Sequence, residues 1–394
     1  MTNKMKLLVI LSRFPYPLEK GDKLRAYHQL VHLSHDHEII LCCITDKLPN
    51  EQDRSKITPL CAELHVFKLS RVKQLGRLCY AAFSSKPFQV HYFYQKSVAR
   101  KIQQIIQSTA PAHIYAQLVR TTEYVKNFHE MPKTLDYMDA LNKNYSRRTA
   151  SSKGIRKFLV KEEAKRLVAY ENLIFDYFEN HSIISSQDKN LIYHEKRESI
   201  SVVPNGVDFD YFKPIQESAK KTTDLIFTGN MGYLPNEDAA LYLIRSIMPK
   251  LWQEDQNITL TIAGATPSNE LLSLASDRVK VTGWVNDIRD EFNSAKIFLA
   301  PMRQGTGLQN KLLEAMSMQL PCITTPLANN ALKAIHNEHL YVYQDDKHLV
   351  TLVMHLLNSS ESRLELGTNA RKFILENYSW QSANKILQEL ITTQ

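Results

Sequence analysis

Lys296-Ile-Phe-Leu-Ala300, followed by Pro301-Met-Arg-Gln-Gly-Thr-Gly-Leu-Gln-Asn-Lys-Leu-Leu-Glu-Ala-Met-Ser-Met-Gln-Leu-Pro321, decides how this chain folds. The first segment reads as a buried strand that Pro301 ends, and Leu308, Leu312, Leu313 and Met316 then recur at helical spacing. The turn between them therefore opens a helix. Gly305 and Gly307 let the backbone take positive φ and approach a ligand closely. The first amides of a helix lack intrahelical partners, an arrangement that suits phosphate oxygens. Arg303 precedes the turn, Lys311 lies in the first helical turn and Glu314 follows it one helical turn later, so all three could face one ligand. A carboxylate there accepts the two hydrogen bonds that a ribose diol offers.

Working outward, strand-like runs alternate with helical patterns along the whole chain. The first series is Leu7 to Leu11, Glu38 to Ile44, Leu64 to Leu69, His113 to Ala116, Ser182 to Ser185 and Ser201 to Val203. A second series begins after Pro204-Asn-Gly-Val-Asp208: Asp224 to Thr228, Thr259 to Ala263, Val279 to Thr282, Ile297 to Ala300, Cys322 to Thr325 and Leu340 to Tyr343. Alternation of this kind means parallel sheets with crossover helices. At 394 residues the chain exceeds one ordinary core. The expectation is α/β, two Rossmann-like doubly wound domains facing a cleft. The boundaries are 1–205, 206–375 and 376–394, with the hinge between 205 and 222.

Hydrophobic residues make up 43% and charged residues 23%, values ordinary for a globular protein and far from a disordered one. The net charge of +8 is unevenly placed: residues 1–200 hold 32 Lys+Arg against 20 Asp+Glu, and residues 201–394 hold 17 against 21. An anionic partner for the first half follows. Cys42, Cys43, Cys61, Cys79 and Cys322 have no metal-binding spacing, and the adjacent pair points to opposite faces of a strand. A reducing cytoplasm is the expected setting. The opening apolar run reads as a first buried strand, and no run approaches the length of about 18 residues needed to cross a bilayer.

Glu314-Ala-Met-Ser-Met-Gln-Leu-Pro-Cys-Ile-Thr-Thr-Pro326 resembles the signature of family 4 glycosyltransferases, which carry the GT-B fold. Val203-Pro-Asn-Gly-Val-Asp208, Leu225-Ile-Phe-Thr-Gly-Asn-Met-Gly-Tyr-Leu-Pro-Asn236 and Val279-Lys-Val-Thr-Gly-Trp-Val-Asn-Asp287 match further family segments in order. The opening Ser12-Arg-Phe-Pro-Tyr-Pro-Leu-Glu-Lys-Gly-Asp-Lys-Leu-Arg-Ala-Tyr-His28 is similar to bacterial sugar transferases of exopolysaccharide and exosortase systems.

The resemblance implies a donor site made by Gly21, Asp22, Asn230, Trp284, Val285, Arg303, Gly305, Thr306, Gly307, Leu308, Gln309, Asn310, Lys311 and Glu314. Trp284 would stack on the base and Val285 would meet its edge through an amide. By the same resemblance residues 1–205 bind the acceptor, 206–375 bind the nucleotide-sugar and 376–394 form a final helix returning to the first domain; Lys23, Arg25, Arg120 and Asp139 are the acceptor candidates. Thr306, Lys311 and Glu314 are the candidates for catalysis. Two departures stand out. The family places an acid eight residues before the ribose-binding glutamate, and Thr306 stands there; Asn230 and Pro235 replace the phosphate-clamping Arg and Lys of many relatives. Arg303 and Lys311 are then the cations nearest the loop. Asp287 reads as a helix cap for Ile288-Arg-Asp-Glu-Phe292. Asp208 with Asp210, and Asp136 with Asp139, are carboxylate pairs too sparse for a magnesium site, so no metal or other cofactor is expected.

The implied activity is transfer of a sugar, with retention, from a nucleotide diphosphate-sugar to a saccharide or lipid-linked saccharide in surface polysaccharide or glycoconjugate synthesis. A GT-B nucleotide-sugar 2-epimerase and a nucleic-acid-binding module are the alternatives, although no recognised RNA or DNA motif appears. Arg71 to Phe83 is basic and amphipathic, with Val72, Leu75, Cys79 and Ala82 on one helical face. Lys153, Arg156, Lys157, Lys161, Lys165 and Arg166 form a second cationic stripe. Both suit peripheral contact with an anionic membrane at the inner face of the cell membrane.

Overall fold

A computed structural model of the chain describes residues 4–142, 145–146, 149, 153–214, 221–304 and 308–392. The chain divides into two units, Met1–Pro204 with Gln381–Gln394, and Asn205–Trp380.

In unit 1 the strands are β1 Met5–Leu11, β2 His37–Thr45, β3 Glu63–Lys68, β4 His113–Gln117, β5 Lys133–Asp136, β6 Asn180–Ile183 and β7 Ser201–Val202. They lie in the order β3-β2-β1-β4-β5-β6-β7, all parallel. Leu7, Val9 and Leu11 join Ile39, Leu41 and Cys43 in one core, while Leu8 and Ile10 join Ile40, Cys42 and Ile44 in the other. Both faces are covered, which is why these strands read as continuous apolar runs. Cys42 and Cys43 do point to opposite faces, and burial pushes the Cys42 thiol up to about 12.

Strand β5 is absent from the series expected above. Its four residues, Lys133-Thr-Leu-Asp136, are all buried although two are charged. The charges are matched: Lys133 Nζ donates to the Phe128 carbonyl at 2.6 Å and lies 3.5 Å from Glu179, and Asp136 takes the guanidinium of Arg25. Buried charge is tolerated only with such partners.

The first core of unit 1 is completed from the far end of the chain. The helix Trp380–Thr392 packs Ala383, Leu387 and Ile391 among Leu7, Val9 and Leu33. Asn384 Nδ2 donates to the His28 carbonyl at 3.1 Å, and Asn180 Nδ2 donates to that of Leu390 at 2.8 Å. The final helix expected over 376–394 begins at Trp380, because the preceding helix Ser360–Asn377 ends before Tyr378. At that break Val207 bridges Ser379. A β-carbon on Gly206 would sit 2.3 Å from the Trp380 nitrogen, so only glycine allows this approach.

Unit 2 holds β8 Thr223–Thr228, β9 Leu260–Ala263, β10 Val279–Val281, β11 Ala295–Ala300, β12 Cys322–Thr324 and β13 Tyr341–Val342. Their order is β10-β9-β8-β11-β12-β13, again all parallel. Each unit is thus a doubly wound Rossmann-like sheet. The strand order reverses once in each, between β1 and β4 in unit 1 and between β8 and β11 in unit 2. At such a reversal the loops leaving the carboxyl ends of the two strands diverge and leave a crevice, the usual ligand position in open α/β sheets.

Candidate functional site

In unit 2 the crevice lies between the loop after β8 and the segment after β11. Gly305, Thr306 and Gly307 lie outside the described residues. Leu308 is buried, Gln309 is the N-cap residue, and the helix runs from Asn310 to Ser317 with Leu312, Leu313 and Met316 turned into the core. That burial fixes which face Lys311 and Glu314 present.

Lys311 Nζ donates to Asn236 Oδ1 and lies over the Phe227 ring, 4.8 Å from its centroid. Burial pushes the Lys311 ammonium down to about 7 and the Glu314 carboxyl up to about 7, and the attraction between the two opposes both shifts. Each charge is costly where it sits, and neither is fully compensated by the protein.

The loop after β8 is held by its own amides and side chains. Asn230 Oδ1 accepts from the Gly232 amide at 3.0 Å and from Thr266 Oγ1 at 2.6 Å. Asn236 Nδ2 donates to the Asn230 carbonyl at 2.9 Å. The loop after β9 presses against it: a β-carbon on Gly264, at φ +137°, would lie 2.0 Å from the Gly229 carbonyl oxygen. The Gly264 amide in turn donates to the Gly283 carbonyl at 3.1 Å. Three strand ends are thereby stitched together. Trp284, one residue past Gly283, is 63% exposed, and Val285 beside it is half-buried.

Arg303 makes two hydrogen bonds to Asp238, Nη2 to Oδ1 at 2.6 Å and Nε to Oδ2 at 3.1 Å, and stacks over Tyr242 at 4.5 Å. Tyr242 donates to Asp346, which also pairs with Lys250 at 2.5 Å. Arg303 is consequently held at the mouth by a carboxylate. Asn310 accepts from Asn205 Nδ2 at 3.0 Å. Asp287 caps the helix Ile288–Ser294 by accepting from the Arg289 amide at 2.9 Å, as expected. Asn236 and Asp238 were not singled out from sequence. The nearest signal was Asn236's position at the end of the matched segment after β8.

In unit 1 the crevice lies after β1 and β4. Gly21 and Asp22 open the helix Gly21–Asp36, with Asp22 buried and paired to Arg13. Lys23 pairs with Glu19 at 3.2 Å. Arg25, expected at the acceptor, is instead wholly buried. Its Nε donates to Asp136 at 2.7 Å and its Nη1 to the Val203 carbonyl at 2.7 Å, leaving no face for a ligand. Tyr115 and Gln29 complete the same buried network around Asp136.

Arg120 leaves β4 under different conditions. Its guanidinium lies 5.1 Å over Phe93 and its Nε has no hydrogen-bond partner among the described residues. Burial lowers its pKa and nearby Arg13 lowers it further, against the charges of Asp22 and Asp139. Arg13, Asp22, Arg120 and Asp139 therefore form one electrostatic cluster at this reversal. Among the described residues no group of three or more His, Cys, Asp or Glu is placed to hold a metal ion, and no helix is long and apolar enough to cross a membrane.

Residues 222–359, most of unit 2, match the family described as "Glycosyl transferases group 1". A Klebsiella pneumoniae protein, an "uncharacterized 44.6 kDa protein in cps region", is 23% identical over 393 residues, covering 95% of this chain and 96% of that one. Among solved structures, Anabaena Alr3699/HepE in complex with UDP and glucose aligns over 99% of this chain and 100% of its own, with TM-score 0.70 at 12% identity. WaaG, a glycosyltransferase involved in lipopolysaccharide biosynthesis, aligns over 98% and 100%, with TM-score 0.67 at 15% identity. Along nearly its whole length, then, the chain has the GT-B fold, built from two doubly wound Rossmann-like units.

Proposed function

We propose that this chain is a glycosyltransferase that moves a sugar from a nucleoside diphosphate to a saccharide acceptor, with retention of configuration, in the synthesis of a surface polysaccharide or glycoconjugate. The observation that carries the reading is the pair Lys311 and Glu314, buried on one helical face at the strand reversal of unit 2. A diphosphate restores the charge on Lys311, and a ribose diol donates to Glu314 as carboxylate. The match of residues 222–359 to glycosyl transferases supports it, as does HepE's complex with UDP and glucose on the same fold.

In this reading Lys311 and the opening amides of its helix stabilise charge on the departing diphosphate, the kind of positioned electrostatic contribution that dominates such transfers. Arg303 moves from Asp238 to the diphosphate. Trp284 supplies a ring for the base. Unit 1 holds the acceptor through Arg120 and Asp139, and the acceptor is lipid-linked. No side-chain nucleophile is needed, since the leaving diphosphate itself takes the acceptor proton.

Titration calorimetry with UDP, GDP, ADP and dTDP tests the donor, followed by transfer assays with the sugars of whichever binds. Saturable binding of one nucleotide, lost in Glu314→Ala, is expected. Absence of binding across the panel overturns the reading, and epimerised donor without acceptor replaces it with an isomerase.

A further inference from the structure

Two segments far apart in sequence meet on the surface of unit 1. The helix Arg71–Ala81 turns only Gln74 and Ala81 fully inward. The amino-terminal part of the helix Gly154–Phe175 is exposed from 154 to 159. Arg166 joins them: its Nη1 donates to the Ala81 carbonyl at 2.6 Å, and its guanidinium lies 4.5 Å over Phe88. Glu163 accepts from the Phe88 and Gln89 amides, at 2.5 and 3.1 Å, fixing the short helix after Phe83 to the same place.

What these segments leave in water is apolar. Val72 is 82% exposed, Leu75 67%, Phe83 90%, Ile155 80% and Phe158 67%. Single exposed apolar residues are commonplace, but a cluster of this size marks a surface that meets something. Its rim is cationic: Arg71, Lys73, Lys153, Arg156, Lys157 and Lys161 are all exposed. The sequence has no Asp or Glu between Glu63 and Glu123, nor between Asp139 and Glu162, and the carboxylates Asp46 and Glu162 beside the two helices are already engaged, by Gln74 and by Arg166. Nine Lys and Arg fall in the first interval and seven in the second.

We infer that this composite face docks on an anionic lipid surface, with Phe83, Ile155 and Phe158 entering the acyl boundary and the surrounding cations meeting headgroup phosphates. Long basic side chains lay their stems along apolar surface and keep their charge at the interface, and apolar burial with electrostatic attraction is how such faces bind membranes. An uncharged rim would fit a protein partner equally well; a predominantly cationic one selects the bilayer. The face is separate from the residues assigned to the donor, so its failure and that of the transferase reading are distinguishable.

Co-sedimentation of the 394-residue chain with phosphatidylcholine vesicles, and with vesicles holding about 30% phosphatidylglycerol, tests it. Binding to the anionic vesicles, weaker by about tenfold or more on phosphatidylcholine alone, is expected. Phe83→Asp and Ile155→Asp with Phe158→Asp should each lower that binding about tenfold or more, while leaving nucleotide binding and the unfolding midpoint unchanged. The second variant matters because it lies on the other helix. Equal binding by the variants overturns the inference. So does a concentration-dependent dimer in sedimentation velocity that Phe83→Asp dissolves without any vesicle binding, which assigns the face to a second copy.

Discussion

Lys311 donates a hydrogen bond to the side-chain oxygen of Asn236, 75 residues before it, and the same asparagine's nitrogen donates to the Asn230 carbonyl. The helix after β11 and the loop after β8 are thus tied through one amide. Asn236 is buried, and both ends of its amide are in use.

Replacing Lys311 by Met removes the cation from the proposed donor site and leaves most of its stem over Phe227. Nucleotide affinity should fall tens-fold, the loss of a charge-assisted contact of about 1.5–3 kcal/mol. Titration calorimetry of the variant beside the parent checks it; an unchanged affinity contradicts the assignment of Lys311 to the donor.

A pH prediction follows from the same pair. Burial raises the Glu314 carboxyl to about 7, so its stabilising contribution is present at low pH and is lost as pH rises from the ordinary carboxylate range through 7. Burial lowers Lys311 to about 7, so its contribution is present above the ordinary lysine range and is lost as pH falls toward 7. The two slopes meet in a stability minimum near neutrality. Urea unfolding of the Lys311→Met, Glu314→Gln double variant between pH 5 and 9 should be flatter than the parent, with its largest gain near pH 7.

Arg25 and Asp136 form a fully buried ion pair. Arg25→Met leaves Asp136 charged in the core, where removing one partner typically costs about 3–5 kcal/mol. Denaturant unfolding should show that loss. If the variant instead unfolds like the parent and is defective only toward an acceptor, Arg25 is a binding residue after all.

Arg120→Met separates the two proposed substrates. Nucleotide binding should be unchanged, because the nucleotide contacts proposed above, Trp284, Arg303, Lys311 and Glu314, all lie in unit 2. The KM for the saccharide acceptor should rise roughly tenfold or more, the value of a charged hydrogen bond. An altered nucleotide affinity contradicts that assignment.

The doubly wound architecture was legible because strands buried on both faces read as apolar blocks, and the runs around Val9, Leu41, Phe227 and Leu299 all form strands. Strand β5 was not legible. Lys133 and Asp136 hide it, and their partners Phe128, Glu179 and Arg25 come together only through the fold. The same cause misplaced Arg25, which in a motif rich in Lys and Asp resembles a ligand-binding cation. Lys311 and Glu314 stood out because they are three residues apart on one helix. Asn236 and Asp238 did not, since contacts across 65 to 75 residues leave no periodicity.

The helix Trp380–Thr392 finishes the core begun by β1. Unit 1 is therefore assembled from two separate segments, Met1–Pro204 and Gln381–Gln394, and during synthesis on the ribosome it stays incomplete until the helix Trp380–Thr392 has emerged. Unit 2, contiguous from Asn205 to Trp380, has no such wait. Exchanging it for the corresponding unit of a relative requires two splice points, one at Pro204–Asn205 and one at Trp380–Gln381.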